Sequence, residues 1–394
     1  MTAELTSKER IIRTMEWKDV DYIPLALSGI GHSTVVDLNN KMNNDPFKAA
    51  DCLLELGADA GLYVELPQAL PPDVSVDYAT RRVLGEKDRI LTKTYTTPRG
   101  RLTQAVRRNK DYPFDEIDLL THRNDHLVPP KRSYKYMIDC AKELDVLAYI
   151  LGKPEDAAFD GVRAFVKEAK QYAKRKGIIL TGRTEGVGDP LQWLSGVENI
   201  VFMSADEPQA LHRYTEIISE WNIHRMRLLI DLGVDTVLRR GWYESTDFWS
   251  PAMYREFLLP ALKKEAELAH SAGVKYIYIM NTGVDALADM IMEAEVDMQT
   301  NAEPEMCDIA RLRKSFQNKV AMCTGVNNYH VLEECGEEQI NEAVRYAIEN
   351  YADGGGFILS PSDSIGGFGL HKGIVSEKLL RNMVHMVEAW KKYR

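Results

Sequence analysis

Little in the chain ties it to a membrane, to nucleic acid or to an oxidising compartment. Its five cysteines (Cys52, Cys140, Cys307, Cys323 and Cys335) are scattered and include no Cys-x-x-Cys pair. An odd, unpatterned set in a large chain argues for free thiols and against a disulfide framework. No apolar run reaches the length of a membrane span, and the opening ten residues lack an apolar signal core. The expected location is therefore the cytoplasm, with no membrane partner. Positive charge is in deficit, with 49 Lys and Arg against 59 Asp and Glu and a formal net charge of −10. Nucleic acid and anionic lipid reward a basic face, so neither is expected as a partner.

What the chain does have is a repeated unit. Gly273-Val-Lys-Tyr-Ile-Tyr-Ile-Met-Asn-Thr-Gly283 reads as a buried strand running into a polar turn. A short apolar run rich in β-branched and aromatic residues, set between helical segments, marks a parallel strand covered on both faces. The same pattern predicts strands at 22–27, 59–66, 177–182, 234–240, 274–279, 295–301, 319–324 and 356–361. Strands alternating with helices in this number predict an α/β fold, a (β/α)8 TIM-like barrel, with its chemistry at the C-terminal strand ends. At 394 residues the chain exceeds the roughly 250 of a plain barrel. The surplus is assigned to an N-terminal helix over 6–17 and an antiparallel meander inserted at about 78–130, all within one domain spanning 1–394. Further helices are expected over 133–144, 154–176, 209–232 and 251–271, among others.

Candidate site residues gather at the predicted barrel mouth. His32 stands in the loop after the first strand, and Glu65 ends the second inside an apolar run, where a carboxylate is costly unless paired. After the third strand come Arg183, Glu185, Asp189 and Trp193, interleaved with glycines that would let the loop approach a ligand closely. The fourth strand delivers Arg239 and Arg240 with Trp242, Tyr243 and Phe248, a stretch long enough to act as lid or wall. Met280 and Asn281 end the opening strand, and Glu303 and Asp363 follow later strands.

Three segments carry a family resemblance. They are Arg10-Ile-Ile-Arg-Thr-Met-Glu-Trp-Lys-Asp-Val-Asp-Tyr-Ile-Pro24, Phe248-Trp-Ser-Pro-Ala-Met-Tyr-Arg-Glu-Phe-Leu-Leu-Pro260 and Gly356-Phe-Ile-Leu-Ser-Pro361. With them the chain resembles the uroporphyrinogen decarboxylase superfamily, which includes the corrinoid-linked methyltransferases. The resemblance implies a distorted (β/α)8 barrel. The decarboxylase branch holds porphyrinogen carboxylates with an arginine-rich loop after strand one; here Ser28–Ser33 carries no arginine, and Glu65 and Asp363 stand at the positions of the catalytic aspartate and late histidine. The thiol-methylating branch binds zinc through His-x-Cys and a later Cys; here the matching positions read Met280-Asn-Thr and Asp363, so that set is absent.

The resemblance then implies a substrate-side methyltransferase of O-demethylation type. It would move a methyl group from a small donor, foremost a methoxylated aromatic, to cob(I)alamin held by a separate corrinoid protein. Trp193, Trp242, Tyr243, Phe248 and Met280 would suit an apolar aryl ether, although such residues also fill ordinary barrel cores. Glu65, Glu185, Tyr243 and Asp363 are the expected catalytic residues, since an aryl ether leaves poorly without a proton or a Lewis acid. His32, Arg183, Arg239, Arg240 and Asn281 complete the expected substrate-binding set, with an Arg–Glu185 salt bridge as the plainer role for an arginine. Zinc or another divalent metal held by Glu65, Asp363 and His32 stays open, as does a homodimer. The alternatives are a decarboxylase or lyase acting on a small acid, methyl transfer from a methylcobamide to another acceptor, and a barrel that binds without turnover.

Overall fold

The computed structural model describes residues 4–27, 45–110, 112, 114–363, 365 and 377–394. The element order is β1 (Gly61–Val64), β2 (Ser75–Arg81), β3 (Arg89–Thr97), β4 (Gly100–Arg108), β5 (Ser133–Lys135), β6 (Ile179–Thr184), β7 (Thr236–Arg240), β8 (Lys275–Ile279), β9 (Met298–Thr300), β10 (Ala321–Val326) and β11 (Phe357–Pro361), with helices between them. Seven strands form one parallel sheet in the order β1-β6-β7-β8-β9-β10-β11. The ring is closed by the segment predicted as the first strand. Leu25 bridges to Leu359 and Ala26 to Asp59, both parallel. Ala26 N donates to Leu359 O at 2.9 Å, and Asp59 N donates to Leu25 O at 2.8 Å. The segment makes isolated bridges, not a full ladder, in part because Pro24 offers no N–H.

Side chains alternate across this sheet and build two separate cores. Ala26, Ile179, Leu238, Ile277, Ile279, Met298, Ala321, Cys323 and Ile358 meet inside the barrel, joined by Ile11 and Met15 of the helix Ser7–Met15. That helix plugs the N-terminal end of the ring. A capping box of Thr6 and Glu9 starts it, and Arg10 fixes its angle through ion pairs with Asp21 at 2.7 Å and buried Asp59 at 2.5 Å. The alternate positions, such as Leu62, Val64, Leu180, Val237, Tyr276 and Tyr278, pack outward under the helices.

The predicted meander is an antiparallel sheet in the order β2-β3-β4-β5. Between β4 and β5 the chain returns to the mouth in a tight turn over His122–Leu127, capped by Thr121. Three expectations need correction. The stretch 133–144 is strand β5 and a short 3-10 turn, with the helix only from Leu144 to Ile150. The helix expected from 154 begins at Asp160. The helix expected over 251–271 is broken by a wide π turn at Tyr254–Leu258 before Leu259–Ser271. Pro260 cannot donate the α-helical bond there, and the wider turn absorbs the gap.

Candidate active site at the barrel mouth

Arg240 ends β7 two residues after the lumen-facing Leu238, so it points into the barrel mouth. Its guanidinium is almost wholly buried and lies between two indoles, 4.4 Å from the centre of the Trp242 ring and 5.4 Å from that of Trp193. Three carboxylates surround it: Asp125 at 3.1 Å, Asp189 at 3.6 Å and Glu185 at 3.7 Å. Asp125 comes from the inserted segment and also accepts the indole N–H of Trp193 at 2.8 Å. Asp189 and Trp193 are four residues apart on the helix Gly188–Asp206, so both face the same side. Arg183, on β6, faces inward and pairs with Glu65 at 2.5 Å beneath the mouth rim.

This cluster holds more acid than its one central cation neutralises. Burial raises the Glu185 carboxyl above its ordinary range, opposed chiefly by Arg240 and Arg183. Burial likewise pushes Asp189 up to about 7, against the opposing pull of Arg240. One oxygen of each, Glu185 Oε2 and Asp189 Oδ2, is buried without a hydrogen-bond donor. The Glu185 side chain is 21% exposed whereas Asp189 is sealed, so Glu185 is the acid that reaches the lumen.

Asp189 gives a stability prediction with a definite sign. Its folded pKa of about 7 lies above the ordinary value of roughly 3.9. The folded state then holds the extra proton, and the residue penalises folding increasingly as pH rises through that window. An Asp189→Asn variant should show a flatter loss of stability than wild type between pH 5 and pH 8, read from urea unfolding midpoints. Parallel pH profiles for the two proteins would contradict this.

The loop carrying Glu185 and Asp189 is held by a carboxylate that the sequence reading did not single out. Glu244 is wholly buried, and its Oε1 accepts the backbone N–H of Val187 at 2.7 Å, that of Gly188 at 2.8 Å and Arg239 Nη2 at 2.6 Å. Its Oε2 accepts the Tyr278 hydroxyl at 2.6 Å. The glycines exist for this carboxylate. A Cβ at Gly186 would lie 2.1 Å from Arg240 O and 2.7 Å from Glu244 Oε1, and one at Gly188 would lie 2.6 Å from Glu244 Cγ. The close approach expected toward a ligand is thus an approach to the protein's own side chain.

Arg239 also needs correction. It points away from the lumen into the layer between sheet and helices, where it meets Glu244 and, at 3.2 Å, Glu265. Tyr276 donates to Glu265 at 2.7 Å, which completes an ionic cluster outside the barrel.

The far side of the mouth is lined by amides, hydroxyls and one acid. Asn281 lies two residues beyond β8, Gln299 and Thr300 end β9, and Asn301 follows it. Glu303 accepts from Asn327 Nδ2 at 2.7 Å and Ser362 Oγ at 2.5 Å, with burial raising its pKa. Several amide ends here are buried without partners: Gln299 Oε1, Asn301 Nδ2 and Asn281 Oδ1.

The remaining expectations fall out unevenly. Glu65 is 61% exposed at the rim, not buried in an apolar run. Of the five apolar residues expected to line the lumen, Trp242 packs against the inner core, while Trp193 and Met280 belong to the outer one, with Phe248 packed against it. Tyr243 stacks on Phe248 at 5.2 Å and gives its backbone N–H to Asp189 at 2.8 Å. Burial pushes its phenol up, which leaves Glu185 the stronger acid. Asp363 directly follows Ser362 beyond β11, and His32 lies outside the described residues. Among the described residues, no three His, Cys, Asp or Glu side chains come together to hold a metal ion. With Met280 in the outer core, the positions matching the family's zinc ligands do not fit a metal.

A family described as uroporphyrinogen decarboxylase (URO-D) matches residues 153–393, more than half of the chain. The chain belongs to the uroporphyrinogen decarboxylase family. The matched region spans β6 to β11 and so contains Glu185, Asp189, Arg240 and the amide-rich wall. Among solved structures, a methyltransferase from Methanosarcina mazei is similar over 99% of both chains, with a TM-score of 0.61 and 16% identity. At that identity the likeness shows a shared fold. A D-psicose 3-epimerase aligns over 58% of this chain and 82% of its own at 14% identity, with a TM-score of 0.37 that carries no argument. Comparison with curated proteins found no match. Membership of this family marks the chain as an enzyme.

Proposed function

We propose that this member of the uroporphyrinogen decarboxylase family is a corrinoid-dependent methyltransferase that takes a methyl group from a small donor, foremost a methoxylated aromatic. The reading rests on one observation above the others: a raised carboxyl, Glu185, opens into a mouth walled by Trp242 with Arg240 beneath it. An aryl ether asks for such an arrangement. Its leaving oxygen needs a proton, and its ring needs an apolar wall.

The second substrate is a corrinoid carried by a partner protein, whose reduced cobalt supplies the attacking electron pair. It asks of this chain an open mouth and an acid, and the partly exposed Glu185, whose Oε2 faces Arg240 without a hydrogen bond, supports that fit. The methyl carbon forms its new bond to the acceptor while the C–O bond breaks. The electron pair of that bond stays on the ether oxygen, Glu185 gives it a proton, and Glu185 remains as a carboxylate. Arg240, balanced by three carboxylates, stabilises the charge left on Glu185.

The guanidinium groups speak against the decarboxylase alternative. Gripping a substrate carboxylate takes a guanidinium that is not already matched. Arg240 faces three carboxylates, Arg183 holds Glu65, and Arg225 donates to the carbonyls of Leu66 and Pro67. The testing experiment mixes the purified protein with reduced cobalamin under anaerobic conditions and screens methoxylated aromatics and methylamines. Methyl transfer, followed as the absorbance change of the corrinoid, is expected with the methoxylated aromatics. Silence across that panel, also with a cognate corrinoid protein present, would sink the reading.

A further inference from the structure

We propose that Asp125, brought to the mouth by the inserted segment, is a positioning residue for Glu185: it holds the Arg240 guanidinium where none of its N–H groups reaches the Glu185 carboxyl, so that Glu185 keeps the proton it is to deliver. The inference rests on Glu185 being the acid of the proposed reaction and names what keeps it one.

Three observations carry it. The first is how Arg240 spends its donors. Its Nη2 donates to Asp125 Oδ2 at 3.1 Å, whereas its Nε and Nη1 are buried with no hydrogen-bond partner among the described residues. Glu185 Oε2 and Asp189 Oδ2 lie just beyond those two nitrogens, at 3.7 and 3.6 Å, and accept nothing. A guanidinium beside a carboxylate ordinarily closes to a hydrogen-bonded pair, often a bidentate one. Here two carboxyls stop short of it, and only the one from the insertion is within reach.

The second observation is that the gap is held from both sides. Asp125 Oδ1 accepts the Trp193 indole N–H at 2.8 Å, and the guanidinium it grips lies between the Trp193 and Trp242 rings. Neither partner of that ion pair is left to drift toward Glu185. On the other side, the buried Asn222 of the helix Pro208–Leu232 donates from Nδ2 to the carbonyl of Glu185 at 2.6 Å and to that of Gly186 at 3.0 Å. This pins the backbone from which the Glu185 side chain starts.

The third is what else faces the acid. Glu185 feels Arg240 from β7, Arg183 from β6, Arg225 from the helix Pro208–Leu232, and Glu65 from the rim beyond β1. Arg183 grips Glu65, and Arg225 donates to the carbonyls of Leu66 and Pro67. Each cation facing Glu185 is thus turned to another acceptor, and for Arg240 that acceptor is Asp125. Asp189 and Tyr243 share the same surroundings, and the charge of Asp125 helps both keep their protons. Without that charge, the guanidinium would be balanced only by Glu185 and Asp189, and both would give up their protons at lower pH.

The test follows the titration of Glu185 itself, in the full chain with neither corrinoid nor donor present, by carbon-13 NMR of side-chain-labelled glutamate. Glu185→Gln identifies its resonance. Asp125→Asn keeps an oxygen for the Trp193 indole and removes only the charge. The Glu185 midpoint is expected to fall by about one pH unit in this variant, a roughly tenfold weaker hold on the proton. Asp125→Glu restores the charge and is expected to hold that proton within about twofold of wild type. Asp125→Ser, suited to a partly exposed turn, takes the place of the amide variant should that one not fold, with the same fall expected. A midpoint unmoved by the Asn and Ser variants, or moved as far by Glu, would overturn the role and leave Asp125 a brace for Trp193, with Glu185 still the acid. A wild-type midpoint at the ordinary carboxylate value would overturn both.

Discussion

Replacing Glu244 by alanine should destabilise the fold by about 3–5 kcal/mol, the range for breaking a buried ion pair from one side. The substitution strands more than one partner. Arg239 keeps its charge in a fully buried setting with only Glu265 to balance it, and the N–H groups of Val187 and Gly188 lose their acceptor. The Tyr278 hydroxyl retains only the Tyr254 hydroxyl, at 3.2 Å. Glu244→Gln should lose less, about 1–3 kcal/mol, because an amide oxygen still serves the two backbone groups. Denaturant midpoints with unchanged slopes are the readout. An alanine variant as stable as wild type would show that the loop after β6 is held by something else.

The second large effect concerns Glu185. Glu185→Gln should lower the rate of methyl transfer from an aryl ether by about 10²–10⁴-fold, the usual range for loss of a general acid. The loss should fall on kcat more than on KM, since the amide keeps the shape of the site and removes only the proton. Folding should be spared, because the Glu185 contact with Arg240 is a 3.7 Å ion pair and one of its oxygens accepts no hydrogen bond. A general acid works while protonated, so the wild-type rate should fall as pH rises through the raised pKa of Glu185. In the Gln variant that limb should vanish. Equal rates in the two proteins would remove Glu185 from the mechanism.

The barrel was legible in the sequence because its strands are short apolar runs with polar ends, and all eight positions appear in the ring. Which face each side chain takes was legible too, though less directly. Ile277 and Ile279 face inward, so the next residue, Met280, must face outward, and the step from Leu238 does the same for Arg239 and Arg240. Reading residue type without that parity put Met280 and Arg239 in the wrong layer. Asp125 left no local sign, since only the return of the inserted segment brings it to Arg240. Glu244 lay inside a stretch already marked as the mouth, but its role depends on Gly186 and Gly188 leaving room for it, a contact between separate loops. The unpaired amides of Gln299 and Asn301 are visible only once the neighbours of each atom are known.

The most direct test of the central claim is a product balance. The protein, its corrinoid acceptor in the reduced state and a methoxylated aromatic carrying a labelled methyl carbon are incubated without oxygen, and both products are quantified by mass spectrometry. Methyl transfer predicts one demethylated phenol for each labelled methyl found on the corrinoid, with no carbon dioxide released. An unlabelled corrinoid with the methoxylated aromatic unconsumed, or a demethylated phenol formed with no label on the corrinoid, would contradict methyl transfer.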